Sequence, residues 1–239
     1  MAVLTAEGWL FLLRWLHFFF GIIWIGLLYY FNFVQTPFFA ETEPGVRSGA
    51  VQKLVPRALW WFRWGAMLTF ITGWLILLHR MGQLGGVRDF FNTSYGWAIF
   101  LGGILGSFMW GNVWFSIWPN QKIVIQNAID TAAGRPANPV AAAAGQRAGF
   151  VSRTNVVFSI PMLFFMGAAS HLSQLAPQMT RSGKIWMAIV SAIIIVLIEG
   201  NAFCGTTRST KKPLGSVNGV LWAGFILTLI FYLLFEIFF

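Results

Sequence analysis

The feature that decides the fold is the stretch RWLHFFFGIIWIG at residues 14–26. It lies inside an apolar run from about residue 9 to residue 33, which exceeds the ~20 apolar residues that a helix needs to cross a bilayer. An ionisable residue within such a run is costly to place in lipid, so it is a candidate functional residue. The stretch therefore predicts a transmembrane helix and singles out His17 within it.

Two neighbours of His17 share its face of the predicted helix: Arg14 one turn earlier and Gly21 one turn later. Because glycine adds no bulk beside the imidazole, a flat group such as a porphyrin could lie there with His17 as its axial ligand. Arg14 would then meet an anionic group such as a propionate. The alternative is a histidine hydrogen-bonded to a neighbouring helix, with the glycine serving close packing. The residue types leave both interpretations open.

The composition is that of an integral membrane protein. Hydrophobic residues make up 57% of the 239 residues and charged residues 10%, whereas a soluble domain has about a quarter charged residues. Six apolar runs are long enough to span a bilayer, at about 9–33, 58–79, 95–118, 154–176, 185–205 and 217–239. We predict an all-α integral membrane protein, a bundle of about six transmembrane helices forming a single domain. The larger loops are expected at 34–57 and 119–153, with a helix over 123–133 in the second.

The net charge of +9 is best explained by the lipid bilayer, and no nucleic-acid partner is predicted, because the basic residues lie between apolar runs. Eleven of the 16 Lys and Arg residues lie in or beside the loops after the first, third and fifth helices. The positive-inside rule puts those loops in the cytoplasm and both termini on the outer side. Cys204 is the only cysteine, which excludes an internal disulfide, a cysteine-ligated iron–sulfur cluster and a C-x-x-C-H site for covalent haem.

This orientation places all three histidines, His17, His79 and His171, toward the outer side. Two imidazoles from different helices can clamp one iron, so haem b is the leading cofactor hypothesis. His171 has Gly167 one turn before it on the same face, which repeats the pattern around His17. His79 is expected to be the most surface-exposed of the three. A zinc or copper site using all three histidines is the alternative, with Asp89 as the nearest carboxylate.

Glu199 is the second costly residue in an apolar run. A charge pair with Arg63, which enters the second helix from the same side, is the simplest expectation, since either charge alone in lipid would be unfavourable. Asn112 and Asn155 lie near helix ends on that side and could join the network. A role of Glu199 in a proton pathway is the alternative.

Several stretches resemble the membrane domain at the N-terminus of the bacterial membrane-bound urate oxidases (urate hydroxylases). The first is Arg14-Trp15-Leu16-His17 with Gly21, Trp24, Ile25 and Gly26. The second is NVWFSIWPNQK at residues 112–122. The third comprises Gly145-Gln146-Arg147, Asn155, Ile160-Pro161, Leu163-Phe164 and Ser170-His171.

The resemblance implies a protein of the bacterial inner membrane in which His17 and His171 bind haem. In the fused urate oxidases a cytochrome c domain follows and takes the electrons. This sequence ends at Phe239 without a C-x-x-C-H motif, so we expect a separate c-type cytochrome as electron acceptor.

The leading hypothesis is therefore a membrane haem b protein that passes electrons near the outer face to a separate c-type cytochrome, as the membrane part of an oxidoreductase. The first alternative is a non-catalytic subunit of a larger membrane respiratory complex. The second is a transporter, for which a helix broken near Pro161 would be expected.

Overall fold

The computed structural model describes residues 2–172, 180–205 and 208–239, and every element in these ranges is helical. The helices in chain order are α1 Ala6–Tyr29, α2 Thr36–Glu41, α3 Pro44–Gln83, α4 Val87–Phe90, α5 Ser94–Asn112, α6 Trp118–Ala132, α7 Ala141–His171, α8 Arg181–Phe203 and α9 Val217–Phe238. Turns of π-helix at Tyr30–Gln35 and Val113–Ile117 join α1 to α2 and α5 to α6, and short 3-10 helices lie at Ala2–Leu4 and Ser209–Gly215.

Within the described ranges, six helical segments are long and apolar enough to cross a membrane. They are Ala6–Glu41, Pro44–Gln83, Ser94–Ala132, Ala141–His171, Arg181–Phe203 and Val217–Phe238. The predicted all-α class and the predicted number of membrane-length helices are confirmed. Residues 173–176, the end of the predicted fourth helix, lie outside the described residues. α7 continues through Pro161 without a break, so the discontinuity expected of a transporter helix does not occur there.

The predicted connecting segments 34–57 and 119–153 are largely helical, because the helices on both sides continue into them. α3 alone has 40 residues, about 60 Å of helix, against a hydrocarbon layer of about 30 Å. Hydropathy marks only the part of a helix that meets lipid, so it underestimates helices that project beyond the bilayer. Pro44 and Pro119 also fall in the first turns of α3 and α6, where proline is tolerated. The helix expected over 123–133 is confirmed as part of α6.

α7 is the central helix of the bundle. It packs against α1, α5, α6, α8 and α9, while α1 packs chiefly along α3. In the most apolar 18-residue stretch of α7, 56% of the residues are buried inside the bundle. In the corresponding stretch of the first span, Ala6–Glu41, the share is 11%. Polar residues are enclosed along α7, with Thr154, Asn155 and Ser159 all completely buried. The polar side chains that connect the bundle therefore converge on this helix.

A short motif, Ser or Thr followed three residues later by Gly, begins several of the helices. In each case the hydroxyl oxygen accepts a hydrogen bond from the glycine N–H, which satisfies a backbone donor that the helix itself cannot pair. The pairs are Thr5–Gly8, Thr93–Gly96, Thr180–Gly183 and Ser216–Gly219. The glycine also permits close backbone approach, because a Cβ at Gly183 would lie 2.0 Å from the Phe238 carbonyl oxygen.

Candidate functional site

His17 lies half-buried in the contact between α1 and α3. Its Nδ1 is 3.0 Å from the carbonyl oxygen of Thr69 and 3.2 Å from Oγ1 of Thr72. The Thr72 hydroxyl donates to the Leu68 carbonyl at 2.6 Å, and a carbonyl oxygen can only accept. We therefore assign the proton of the neutral imidazole to Nδ1, which leaves the lone pair on Nε2. An imidazole held in this way has the tautomer and orientation of a metal-ligating histidine.

The glycine against this imidazole is Gly73 of α3. A Cβ at Gly73 would lie 2.8 Å from Cε1 and 3.3 Å from Nδ1 of His17. The expected neighbour Gly21 instead faces Thr69, whose Cγ2 would be 3.9 Å from a Cβ at that position. Gly73, which the sequence interpretation did not single out, is therefore the glycine that makes room for the ring. The available signal was the spacing of Thr69, Thr72 and Gly73, which places these small residues on one face of a helix otherwise rich in bulky side chains.

His171 is the last residue of α7 and is exposed. Its Nδ1 is 3.0 Å from the carbonyl oxygen of Gly167 in its own helix, so Nε2 is again the nitrogen that remains for a ligand. Gly167 is exposed too, and a Cβ there would meet nothing within 4 Å. The contacts described for His17 and for His171 do not include one another.

The depth of the two histidines follows from a cross-helix hydrogen bond. α1 and α7 run antiparallel, since Tyr29 bonds to Ser159 at 2.9 Å and Asn32 bonds to Ser152 at 2.9 Å. Counting twelve residues outward from the first pair arrives at His17 on α1 and at His171 on α7. At 1.5 Å per residue, both lie about 18 Å from that pair along their helices. Counted from the Asn32–Ser152 pair, the two positions are 15 and 19 residues away, so the two imidazoles are attached toward the same end of the bundle, at levels within about 6 Å of each other.

The other predicted site residues differ in exposure from the expectation. His79 is half-buried, and its Nε2 is a buried atom with no hydrogen-bond partner among the described residues, so it is not the surface histidine that we expected. Arg14 is half-buried on α1, one turn from His17. The described ranges contain no group of three or more His, Cys, Asp or Glu side chains that could hold a metal ion, which removes the three-histidine zinc or copper alternative there.

Glu199 belongs to a polar network that joins α5, α7 and α8. The Asn112 amide donates to Oε2 of Glu199 at 3.1 Å and to Oδ1 of Asn155 at 2.8 Å, and the Asn155 amide donates to the Met109 carbonyl at 3.0 Å. Asn112 and Asn155 are buried, as a network of this kind requires.

The expected charge pair between Glu199 and Arg63 was wrong. The Arg63 guanidinium lies over the ring of Trp118, 3.9 Å from its centroid, and Glu199 is hydrogen-bonded to Asn112 instead. Among the described residues α8 packs against α7 and α9 rather than α3, and sequence position alone does not say which helices are adjacent. The expectation that Asn112 and Asn155 join the Glu199 network is confirmed.

Substitution of Asn155 by alanine is expected to destabilise the protein by about 1–2 kcal/mol. It removes the acceptor of Asn112 and a donor to Met109 from a buried position. Thermal unfolding of the detergent-solubilised protein would measure this loss. Asn218→Ala, at an exposed position near the start of α9, is the control. Equal melting temperatures for the two variants would contradict a stabilising role for the network.

The model of the family described as urate oxidase N-terminal matches residues 87–234, well over half of the chain. The chain belongs to the urate oxidase N-terminal family. No curated protein and no solved structure matches it.

The matched region includes one of the two candidate haem ligands and excludes the other. It covers α5 to α8 and most of α9, including the NVWFSIWPNQK stretch and His171, while α1 with His17 and α3 with Gly73 lie outside it. In this urate oxidase N-terminal domain the stretch 112–122 forms the junction of α5, the π-helical turn and α6. Asn112 at its start anchors the Glu199 network. The sequence resemblance identified this segment, but it did not indicate the π-helical turn, a feature that is frequent at functional sites.

Proposed function

We propose that this protein is a membrane haem b protein that transfers electrons near its outer face to a separate c-type cytochrome, and that His17 and His171 would hold the haem. The observation that supports the proposal best is the register of α1 and α7, which attaches both imidazoles toward the same end of the bundle at similar depths. A second support is the anchoring of His17 by Thr69, which leaves Nε2 as a ligand nitrogen.

The residues present fit the ligand chemistry of haem. Each histidine directs Nδ1 to a backbone carbonyl and keeps Nε2 for coordination. Gly73 provides the space that the His17 ring needs, and Gly21 and Gly167 add no side-chain bulk on the two ligand helices. Arg14 would pair with a propionate, as a guanidinium commonly does with a carboxylate. When bound by two imidazoles, haem b carries one electron at a time by cycling between the ferric and ferrous states.

The proposal includes an orientation. The protein would reside in a bacterial inner membrane with both termini on the outer side, so that the ends of α1 and α7 that carry His17 and His171 face the electron acceptor. The support is the excess of Lys and Arg in the segments at the opposite ends of the helices. The outer ends contain fewer basic residues and both proposed ligands.

Replacing either His17 or His171 by alanine is expected to lower the haem content of the purified protein at least about tenfold, because each change removes an axial ligand. The measurement is a reduced-minus-oxidised absorption spectrum together with the haem-to-protein ratio. His79→Ala, which changes a histidine of α3 outside the proposed ligand pair, is the matched control and should keep its haem. A wild-type protein without a haem spectrum, or unaltered spectra in both ligand variants, would overturn the proposal.

The same experiment addresses the alternative, a non-catalytic subunit of a larger membrane complex. One observation favours it. The contacts of His17 Nδ1 with Thr69 and Thr72 join α1 to α3, and this structural role would account for a histidine at this position without a haem. Large apolar side chains such as Trp15, Phe18 and Ile22 also face outward on α1, where another subunit could pack. Co-purification in a stoichiometric complex without any cofactor would support this function and contradict electron transfer through haem.

A further inference from the structure

Two cations meet on one indole ring where α3 packs against α6. The Arg63 guanidinium lies 3.9 Å from the ring centroid of Trp118 and 6.0 Å from that of Trp114. The Lys122 ammonium lies 5.6 Å from the same Trp118 ring. Cation–π contacts at such distances are attractive, but they leave both positive charges without a counter-ion. We call Arg63, Trp114, Trp118 and Lys122 the Trp118 cluster.

Hydrogen-bond donors of the cluster lack acceptors within the protein. Nε of Arg63 and Nε1 of Trp114 are buried atoms without a hydrogen-bond partner in the described ranges, and both can only donate. The one ion pair among the described residues is Arg135 with Asp130, so no carboxylate neutralises Arg63 there. A guanidinium in or near the hydrocarbon region is costly unless it is paired. The chemistry of the cluster thus calls for an anionic group rich in acceptor oxygens.

The position of the cluster indicates where such a group would come from. Trp60, Trp61 and Trp64 of α3 are exposed on the surface beside it, and Trp64 contacts Trp114 with ring centroids 5.6 Å apart. Tryptophan is enriched at the level of the lipid headgroups. The cluster also lies at the end of the bundle that carries the excess of Lys and Arg, including Lys53 and Arg57 one to three turns before Arg63. A ligand could therefore enter laterally from the bilayer.

We propose that Arg63 and Lys122 bind the phosphate of an anionic phospholipid in the leaflet at the basic end of the bundle. The phosphate and ester oxygens would accept hydrogen bonds from the half-exposed Arg63 guanidinium and from the exposed Lys122 ammonium, and the negative charge would compensate the two cations. The acyl chains would lie against the exposed apolar surface of α3. This site is separate from His17 and His171 and does not depend on a haem.

The test uses the full chain purified in detergent and titrated with phosphatidylglycerol or phosphatidylcholine, with bound lipid counted by native mass spectrometry. The wild-type protein should prefer phosphatidylglycerol by about tenfold or more, and Arg63→Gln and Lys122→Gln should each lower that preference about fivefold. Arg63→Lys, which keeps the charge, should retain most of it. Arg147→Gln removes an exposed cation of α7 and is the matched control, expected to stay within about twofold of the wild type.

Three results would overturn the proposal. The first is a wild-type protein that does not distinguish the two headgroups. The second is an equal loss in Arg147→Gln, which would reveal a response to net charge alone. The third is displacement of the lipid by millimolar inorganic phosphate, which would identify a site for free phosphate. If Arg63→Gln does not accumulate as folded protein, Lys122→Gln at its exposed position carries the same test.

Discussion

Replacement of Gly96 by alanine is expected to destabilise the folded protein by about 3 kcal/mol or more, at the upper end of the cost of overpacking. A Cβ at Gly96 would lie 2.0 Å from the carbonyl oxygen of Phe90 and 2.8 Å from its carbonyl carbon. Contacts this short require the backbone to move, because no flexible side-chain end is available to give way.

The backbone at Phe90 is poorly placed to move. The Phe90 side chain is completely buried, and its carbonyl oxygen accepts hydrogen bonds from the N–H and the hydroxyl of Thr93 at 3.2 and 2.8 Å. Thr93 in turn caps α5 through the N–H of Gly96 at 3.0 Å. Relief of the clash would therefore disturb both the turn after α4 and the start of α5.

Thermal unfolding of the solubilised protein, followed by tryptophan fluorescence, would measure the effect. Gly26→Ala is the matched control, because Gly26 lies within α1 and a Cβ there would meet nothing within 4 Å. That control should be neutral or stabilised by up to about 1 kcal/mol, since alanine favours helix more than glycine does. If Gly96→Ala has the same melting temperature as Gly26→Ala, the Phe90 carbonyl group is farther from Gly96 than these distances indicate, and the prediction is contradicted.

Replacement of Gly73 by alanine is expected to reduce the haem content about tenfold, the lower end of the loss seen when a group that orients a metal ligand is changed. The added methyl group would lie 2.8 Å from Cε1 of His17. The ring would have to move away from α3, and the hydrogen bonds of Nδ1 to Thr69 and Thr72 would lengthen or break. The orientation of Nε2 depends on those bonds. This expectation rests on the proposed function.

The comparison variant is Gly103→Ala on α5, where a Cβ would only touch Cδ1 of Leu77 at 3.8 Å, an ordinary contact. Haem content and melting temperature should be measured together for both variants. Loss of haem in Gly73→Ala with retention in Gly103→Ala would support His17 as a ligand. A lower melting temperature for Gly73→Ala with unchanged haem content would instead assign His17 a purely structural role between α1 and α3.

The positions of the membrane-length helices could be predicted because the signal is local. A helix that crosses the hydrocarbon layer needs about 20 apolar residues, and its backbone hydrogen bonds are satisfied within the helix. These residues are consecutive in the chain, so the run can be read directly from the sequence. Apart from the helix at 123–133, the helical extensions of the spans were missed, since those residues show no apolar run. The Ser/Thr-x-x-Gly caps were visible in the sequence but are meaningful only at the first turn of a helix.

The partners of the polar residues were harder to predict. The Glu199 network was identified in part, with Asn112 and Asn155 as members but with Arg63 as a false partner. Arg63 meets Trp118 instead, which lies 55 residues further along the chain. Such pairings depend on which helices are neighbours and on how each is rotated, and a single sequence contains no direct measure of either.

By itself, the sequence determined the helical class, the six membrane-length helices, the basic end of the bundle and the candidate residues His17 and His171. Only the tertiary structure decided that Gly73, and not Gly21, lies against the imidazole of His17. It also decided that Tyr29 pairs with Ser159 and Asn32 with Ser152, from which the similar depth of the two histidines follows. The physical reason is that hydropathy and capping are properties of neighbouring residues. The register between two helices, and the face that each turns to the other, depend on the packing of segments that lie 52 to 130 residues apart in the chain.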